Sequence, residues 1–491
     1  MSDRKPAQAK TSLPARSDGA GAGAPRPDPH VIVMFGAGGD LAARKLLPGF
    51  FHLQNVGLLP QEWRIVGNAD QEYDDDGFRE HARDSIEKFG SDGIADGDFE
   101  GFQRWLSYVP LSAGTDALEK AIAEAREQVG ADCRLLHYLA VPPAAAGSII
   151  KELGGMKLAG PEARVIMEKP FGHDFKSAKA LNAQIHDVFD EDQIFRIDHY
   201  LGKEGVQNVL ALRFANGLYE PVWNRNNIAS VQIDVPETLS IGSRAGFYEG
   251  TGAYRDIVVT HLLQLLSFIA MEPPVSLSAD HLTAEKVKVF DAIQPIEPSD
   301  VVRGQYDGYK DAEGVAKDSD TETFVAVKVA IENWRWSGVP FFLRAGKCLA
   351  ESRHLVALEF REPVMMMFPG ESGHNSADQL VFEFSEPGEI TADFQAKVPG
   401  PTMELGPARM TFRYEDSFST DNQLEAYERL IHDALIGDST LFTRADGIER
   451  LWEVSMPALS HPPPVIPYPQ GSWGPQQATD LLAPFHWRLP E

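Results

Sequence analysis

Two segments of this sequence hold histidine where it could do acid–base chemistry. Phe195-Arg196-Ile197-Asp198-His199-Tyr200-Leu201-Gly202-Lys203-Glu204 sets six ionisable side chains, Tyr200 included, into ten positions among large apolar ones. A solvated loop has little use for Ile, Tyr and Leu between charges. His199 and Lys203 are four apart, so on a helix they would share a face and grip one phosphate. The plainer alternative is a helix N-terminus that Asp198 merely caps. His261 sits in residues 252–264, amid Leu, Val and Ile. A histidine there is either a satisfied core residue or, with a carboxylate partner to fix its tautomer, a general base.

Three further segments could bind. Gly36-Ala37-Gly38-Gly39-Asp40-Leu41-Ala42 follows an apolar run and opens a helical pattern. Glycines there let the chain turn sharply and let a pyrophosphate approach the free N–H groups of a helix N-terminus. Leu41 occupies the sixth place of G-x-G-x-x-G, so the better fit is G-x-x-G-x-x-A through Gly36, Gly39 and Ala42; a plain tight turn is the alternative. Glu168-Lys169-Pro170-Phe171-Gly172 ends an apolar run, and Pro170 restricts Lys169 to an extended backbone that can aim its ammonium into a cleft. Residues 341–347 end an apolar segment in Gly346 and Lys347. Both lysines have a bland reading as solvated strand ends.

The surrounding pattern predicts what positions these residues. Short apolar runs at 30–35, 63–67, 135–141 and 164–167 alternate with helical stretches at 41–57 and 118–129. That alternation is expected of a doubly wound parallel sheet, an α/β Rossmann-like domain. Beyond residue 200 the period falls to two: 230–235, 323–331, 354–360, 379–384, 390–398 and 409–414 alternate apolar with polar. Half-buried, mainly antiparallel strands are expected there, in one large sheet with helices 253–271 and 424–435 against one face. Residues 1–29, rich in Ala, Pro, Gly and Ser, read as a disordered tail without the apolar segment of a secretory signal. The expected division is therefore tail 1–29, a dinucleotide-binding domain 30–199, and an α+β domain 200–491.

Composition narrows the partners. A net charge of −27 repels duplex nucleic acid and anionic membrane surfaces, so neither is expected as a partner. An anionic substrate would need a local cationic pocket. With 43% hydrophobic and 24% charged residues the chain has an ordinary globular balance. Cys133 and Cys348 alone imply no disulfide framework, and a cytoplasmic location is expected.

Taken together, and in this order along the chain, the motifs G-x-x-G-D-L-A, E-K-P-F-G, R-I-D-H-Y-L-G-K-E, R-D-x(4)-H-L-L-Q, T-E-T-F-V-A with N-W-R-W, and L-R-x-G-K resemble the glucose-6-phosphate dehydrogenase family. The resemblance spans about residues 31–460. It implies a Rossmann domain plus a β+α domain, assembled as a homodimer or homotetramer through its large sheet. It implies oxidation of glucose 6-phosphate at C1 to 6-phosphogluconolactone, the first step of the oxidative pentose phosphate pathway, with NADP+ or NAD+ as hydride acceptor and no metal. His261 then matches the general base and Asp198 its orienting carboxylate. His199, Tyr200 and Lys203 match the phosphate-binding segment, Lys169 and Lys347 the lysines that hold the sugar, and Lys45 one near the substrate pocket. Glu237 and Asp256 match residues that contact sugar hydroxyls. Gly36, Gly38, Gly39, Asp40 and Leu41 match the coenzyme turn, with Lys169 also beside the coenzyme.

Some positions depart from the family pattern. Asp70 stands where an arginine often grips the 2′-phosphate of NADP, and Gly38 where Ser or Thr is common, so use of NAD at least as well as NADP is expected. Val259 and Thr260 replace a common Gln-Asn pair, and Ala345 and Cys348 flank Lys347 where Thr or Ser and Arg are usual. The competing readings are a paralogue for another hexose phosphate or a free sugar, a catalytically silent regulatory paralogue, and redox sensing at Cys348.

Overall fold

The structure is a computed structural model that describes residues 25–90, 96–130, 132–242, 244–365, 367–368, 378–385, 388–419 and 423–490. The tail expected at 1–29 lies outside these residues up to 24. In the described remainder Asp28 pairs with Arg134 at 2.8 Å.

Six strands form the first sheet: β1 (His30–Phe35), β2 (Trp63–Ala69), β3 (Leu106–Pro110), β4 (Arg134–Leu139), β5 (Ala163–Met167) and β6 (Ile194–Arg196). All run parallel, in the order β3-β2-β1-β4-β5-β6. Every position of β1 is buried, because helices cover both faces of such a sheet and leave no polar side. Order reverses between β1 and β4, and ligands bind at such a switch point, outside the carboxyl ends of the strands. The glycine turn leaves β1 there. Its helix begins with a π-helical turn at Ala42–Leu46 before α-helix Leu47–Asn55, a widening that periodicity does not signal.

Nine strands form the second sheet: β7 (Ile228–Pro236), β8 (Val301–Tyr306), β9 (Phe324–Val329), β10 (Phe341–Gly346), β11 (Leu355–Phe360), β12 (Gln379–Glu383), β13 (Glu389–Lys397), β14 (Leu405–Arg413) and β15 (Val465–Tyr468). Their order is β14-β13-β12-β11-β7-β10-β9-β8-β15. The sheet is mainly antiparallel, as expected, with two parallel pairs, β7 with β10 and β8 with β15. On β10 the alternation is plain: Phe341, Leu343 and Ala345 join the main core, while Phe342 joins a second one with Phe324, Tyr468 and Trp487. The C-terminal segment therefore covers part of the other face. There Arg344 forms a bidentate pair with Asp234 at 2.8 and 2.6 Å, and its guanidinium lies 4.2 Å from the Trp487 ring centre. Sequence periodicity suggested helices on one face and gave no sign of this cover.

The helix expected at 253–271 is broken at its start. Gly252 has φ of 69°, and π-helical Tyr254–Leu262 precedes α-helix Leu263–Ala270. Gly252 also leaves room that a Cβ would lack, since Glu322 Oε1 lies 2.4 Å from where it would sit. Helix Ala426–Ile436 of the second half packs on Leu47–Asn55 of the first, where His52 meets Glu428 at 2.8 Å.

Candidate active site

Strand ends from both sheets converge on one place. Adjacent parallel strands β5 and β6 set Met167 opposite Arg196, so Lys169 and Asp198 leave the same edge. Parallel β7 and β10 set Pro236 opposite Gly346, which delivers Glu237 and Lys347 as neighbours. Lys347 Nζ donates to Glu237 Oε2 at 2.6 Å. Helix Tyr254–Leu262 reaches the first group twice: Lys169 Nζ donates to Asp256 Oδ1 at 2.8 Å, and His261 Nδ1 lies 2.6 Å from Asp198 Oδ1.

The His261–Asp198 pair is buried, at 1% and 2% exposure. Asp198 Oδ1 also accepts from the Tyr200 N–H at 3.0 Å, an Asx turn that fixes the carboxylate. With Nδ1–H donated to Asp198, the lone pair of His261 sits on Nε2, which has no hydrogen-bond partner among the described residues, and neither has Asp198 Oδ2. An orphaned buried nitrogen calls for a ligand. Burial, then the Lys169 charge, hold the His261 pKa well below its ordinary value, so the ring is neutral and able to accept a proton. Burial pushes Asp198 up to about 6. Burial would also raise Asp256, but the adjoining Lys169 ammonium outweighs it and keeps that carboxyl below its usual range.

Around the pair stand the other residues of the 195–204 segment. The His199 and Tyr200 rings lie 4.8 and 4.5 Å from the His261 ring. The Lys203 ammonium lies 5.0 Å from the Tyr200 ring centre. The helical spacing expected for this segment is not what brings them together. Residues 198–202 form turns, and the helix Glu204–Ala215 starts only after Lys203, because the Asp198 side chain and the burial of Ile197, Tyr200 and Leu201 hold the chain in turns. Asp198 does not cap that helix either; its oxygen serves Tyr200 and His261.

Lys45 has its ammonium paired with Glu425 at 2.7 Å, just before the helix that carries Tyr427. Three neighbours carried no signal of their own. Tyr427 stacks on His199 with ring centres 5.8 Å apart. Glu168, inside a recognised motif but given no role, accepts from Tyr138 at 2.7 Å and Tyr427 at 3.4 Å, and burial pushes it up to about 7. His354 touches Lys203. Cys348 is 5% exposed and burial raises its thiol pKa, the reverse of what a reactive thiolate needs. Val259 is buried, and Thr260 turns its hydroxyl back to the Asp256 carbonyl.

A separate cleft of about 740 Å³ opens at the carboxyl ends of β1, β2 and β4, lined by Gly36, Gly39, Asp70, Gln71 and Val141 among others. Gly36 has φ of 79°, and a Cβ on it would lie 2.2 Å from the Ala140 carbonyl oxygen, so only glycine lets this turn sit against β4. Gln71 lies over Gly38, where a Cβ would meet its Oε1 at 2.1 Å; that oxygen is buried without a partner among the described residues. Gly38, Asp40 and Leu41 do not line the cleft, and Asp40 pairs with Arg44 at 2.6 Å. A glycine turn at a helix start, an open cleft and an orphaned amide oxygen fit a dinucleotide.

The family profile for the glucose-6-phosphate dehydrogenase NAD binding domain matches residues 33–208, and that for the C-terminal domain matches 210–488. Glucose-6-phosphate 1-dehydrogenase of Rhizobium meliloti is 40% identical, over 93% of this chain and 96% of its own length. That of Chlamydia pneumoniae is 39% identical, over 92% and 94%. A solved glucose-6-phosphate dehydrogenase in complex with its substrate glucose-6-phosphate superposes with a TM-score of 0.87 at 34% identity, covering 95% of this chain and all of that one. The Mycobacterium avium glucose-6-phosphate 1-dehydrogenase structure gives 0.83 at 36% identity, with 95% and 99% covered. The chain belongs to the glucose-6-phosphate dehydrogenase family.

Proposed function

We propose that this chain oxidises glucose 6-phosphate at C1 to 6-phosphogluconolactone, the first step of the oxidative pentose phosphate pathway. The observation that carries the mechanism is the buried His261–Asp198 pair with its unpartnered Nε2. His261 Nε2 takes the proton of the C1 hydroxyl, and Asp198 stabilises the imidazolium that forms. A bound nicotinamide coenzyme supplies the hydride acceptor. His199, Tyr200 and Lys203 receive the phosphate, whose binding energy orients the reacting end. The pairs Lys169–Asp256 and Lys347–Glu237 each offer donors and acceptors at little net charge, which suits the hydroxyls of a neutral ring. Lys45 pairs with Glu425, two residues before Tyr427, and is assigned to the edge of the substrate pocket.

The proposed mechanism uses no metal. Asp198, His199 and His261 offer ligand atoms within 4.8 Å of one another. Asp198 Oδ1 and His261 Nδ1, 2.6 Å apart, are engaged with each other, which suits an acid–base pair.

Gly36, Gly38, Gly39, Asp40 and Leu41 form the coenzyme turn, and Asp70 faces the adenosine ribose. Asp70 lines the cleft, Gln71 covers Gly38, and Glu72 follows. The Asp70 carboxylate at this end repels a 2′-phosphate and accepts from ribose hydroxyls, favouring NAD+. Measuring kcat/KM for NAD+ and NADP+ with glucose 6-phosphate, glucose and other hexose phosphates tests both readings. A strong NADP+ preference overturns the coenzyme reading, and a higher kcat/KM for another sugar overturns the substrate.

A division near residues 199 and 200, a homodimer or homotetramer, and a cytoplasmic location complete the proposal. Its supports are the first sheet ending at Arg196, the second starting at Ile228, and no helix among the described residues long and apolar enough to cross a membrane. Light scattering on the purified chain tests the subunit number.

A further inference from the structure

His354 lies 151 residues from Lys203 in sequence, one residue before β11. Its backbone is pinned: the N–H donates to Glu383 Oε1 at 3.1 Å and Ser385 Oγ at 2.9 Å, and the carbonyl accepts from Phe384 at 2.6 Å. Its ring centre lies 5.4 Å from that of Tyr200, and its Nδ1 lies 2.8 Å from Lys203 Nζ. An ammonium only donates, so Nδ1 must carry a lone pair and the imidazole is neutral, with its proton on Nε2. Burial and then the Lys203 charge favour the same state and push the His354 pKa down to about 4.

Lysine is a point charge on a four-carbon stem, and freezing that stem costs rotamer entropy. Here the ammonium has both the Tyr200 ring and the His354 ring beside it. We infer that His354 is a positioning residue of the phosphate pocket, holding the Lys203 ammonium where the substrate phosphate arrives. This rests on the reading of Lys203 as a phosphate ligand. The acceptor comes from the second sheet and the cation from the loop after the first. His354 thereby links the sheet that presents Glu237 and Lys347 to the phosphate grip, setting the distance between the two ends of the sugar phosphate.

The test uses full-length His354→Leu, His354→Gln and Lys203→Ala, with coenzyme saturating. KM and kcat for glucose 6-phosphate are measured, with the inhibition constant of inorganic phosphate as competitor. His354→Leu should raise KM and the phosphate inhibition constant together, about tenfold, the scale of one hydrogen bond to a charged group, with kcat within about twofold. His354→Gln, whose amide oxygen can accept from Lys203, should restore most of both. A general structural defect would instead lower kcat or leave Gln no better than Leu, and either result overturns the inference. If Lys203→Ala raises both constants while His354→Leu changes neither, His354 has no such role and the phosphate reading of Lys203 stands. If Lys203→Ala changes neither, the phosphate reading fails and this inference falls with it.

Discussion

Replacing Asp198 by Asn should separate charge from geometry in the proposed catalytic pair. Tyr200 N–H and His261 Nδ1 both face Asp198 Oδ1, so an amide would keep its carbonyl there and set its NH2 at the place of Oδ2, which has no partner. His261 then keeps its tautomer, with Nε2 still free to accept. What disappears is the attraction between the carboxylate and the imidazolium formed as the C1 hydroxyl loses its proton. With charge centres about 4 Å apart and an effective dielectric constant of about 20, that attraction is about 4 kcal/mol. At about 1.4 kcal/mol per factor of ten, kcat should fall about a thousandfold. KM should change little, because Asp198 faces His261 and the backbone. The melting temperature should hold or rise, since burial already disfavours this carboxylate and pushes its pKa up to about 6. The assay is absorbance of reduced coenzyme at 340 nm, with deuterium at C1 of the substrate to show whether hydride transfer limits the variant. A fall in kcat of less than tenfold, or a loss confined to KM, refutes the role given to Asp198.

The pH profile follows from the same pair. Asp198 is raised to about 6 and His261 lowered by burial, so carboxylate with neutral imidazole exists above about pH 6 and is lost as pH falls through it. The expected log kcat/KM therefore declines with unit slope below about pH 6; a profile flat to pH 4.5 contradicts this. Gly36→Ala places a Cβ 2.2 Å from the Ala140 carbonyl at a φ of 79°. It should cost about 2 kcal/mol or more and raise the coenzyme KM, read by thermal melting and saturation kinetics. Wild-type stability with unaltered KM would show that the turn is not tight.

Much of the site was legible because its parts are local. The buried parallel strands announce themselves as short apolar runs, and the glycine turn lies directly after the first of them. Asp198, His199, Tyr200 and Lys203 fall within six residues, so one segment displays the chemistry whatever its backbone does. That backbone was misjudged: spacing of four suggests a helix, but Asp198 satisfies the Tyr200 N–H and the apolar neighbours are pulled inward, giving turns. The pairing of His261 with Asp198 spans 63 residues and came through resemblance, not spacing. His354 lies 151 residues from Lys203, and Tyr427 comes from a distant helix; neither has a local pattern that would mark it. The cover over Arg344 by Trp473 and Trp487 is equally long-range. Contacts of that kind follow from topology, which periodicity constrains only loosely.

The most direct measurement is turnover of His261→Asn beside its affinity for glucose 6-phosphate. Loss of the base should lower kcat by about 10²–10⁴ while calorimetric binding of glucose 6-phosphate stays within about threefold. Unchanged turnover with the substrate still bound would contradict the assignment of His261 as the base.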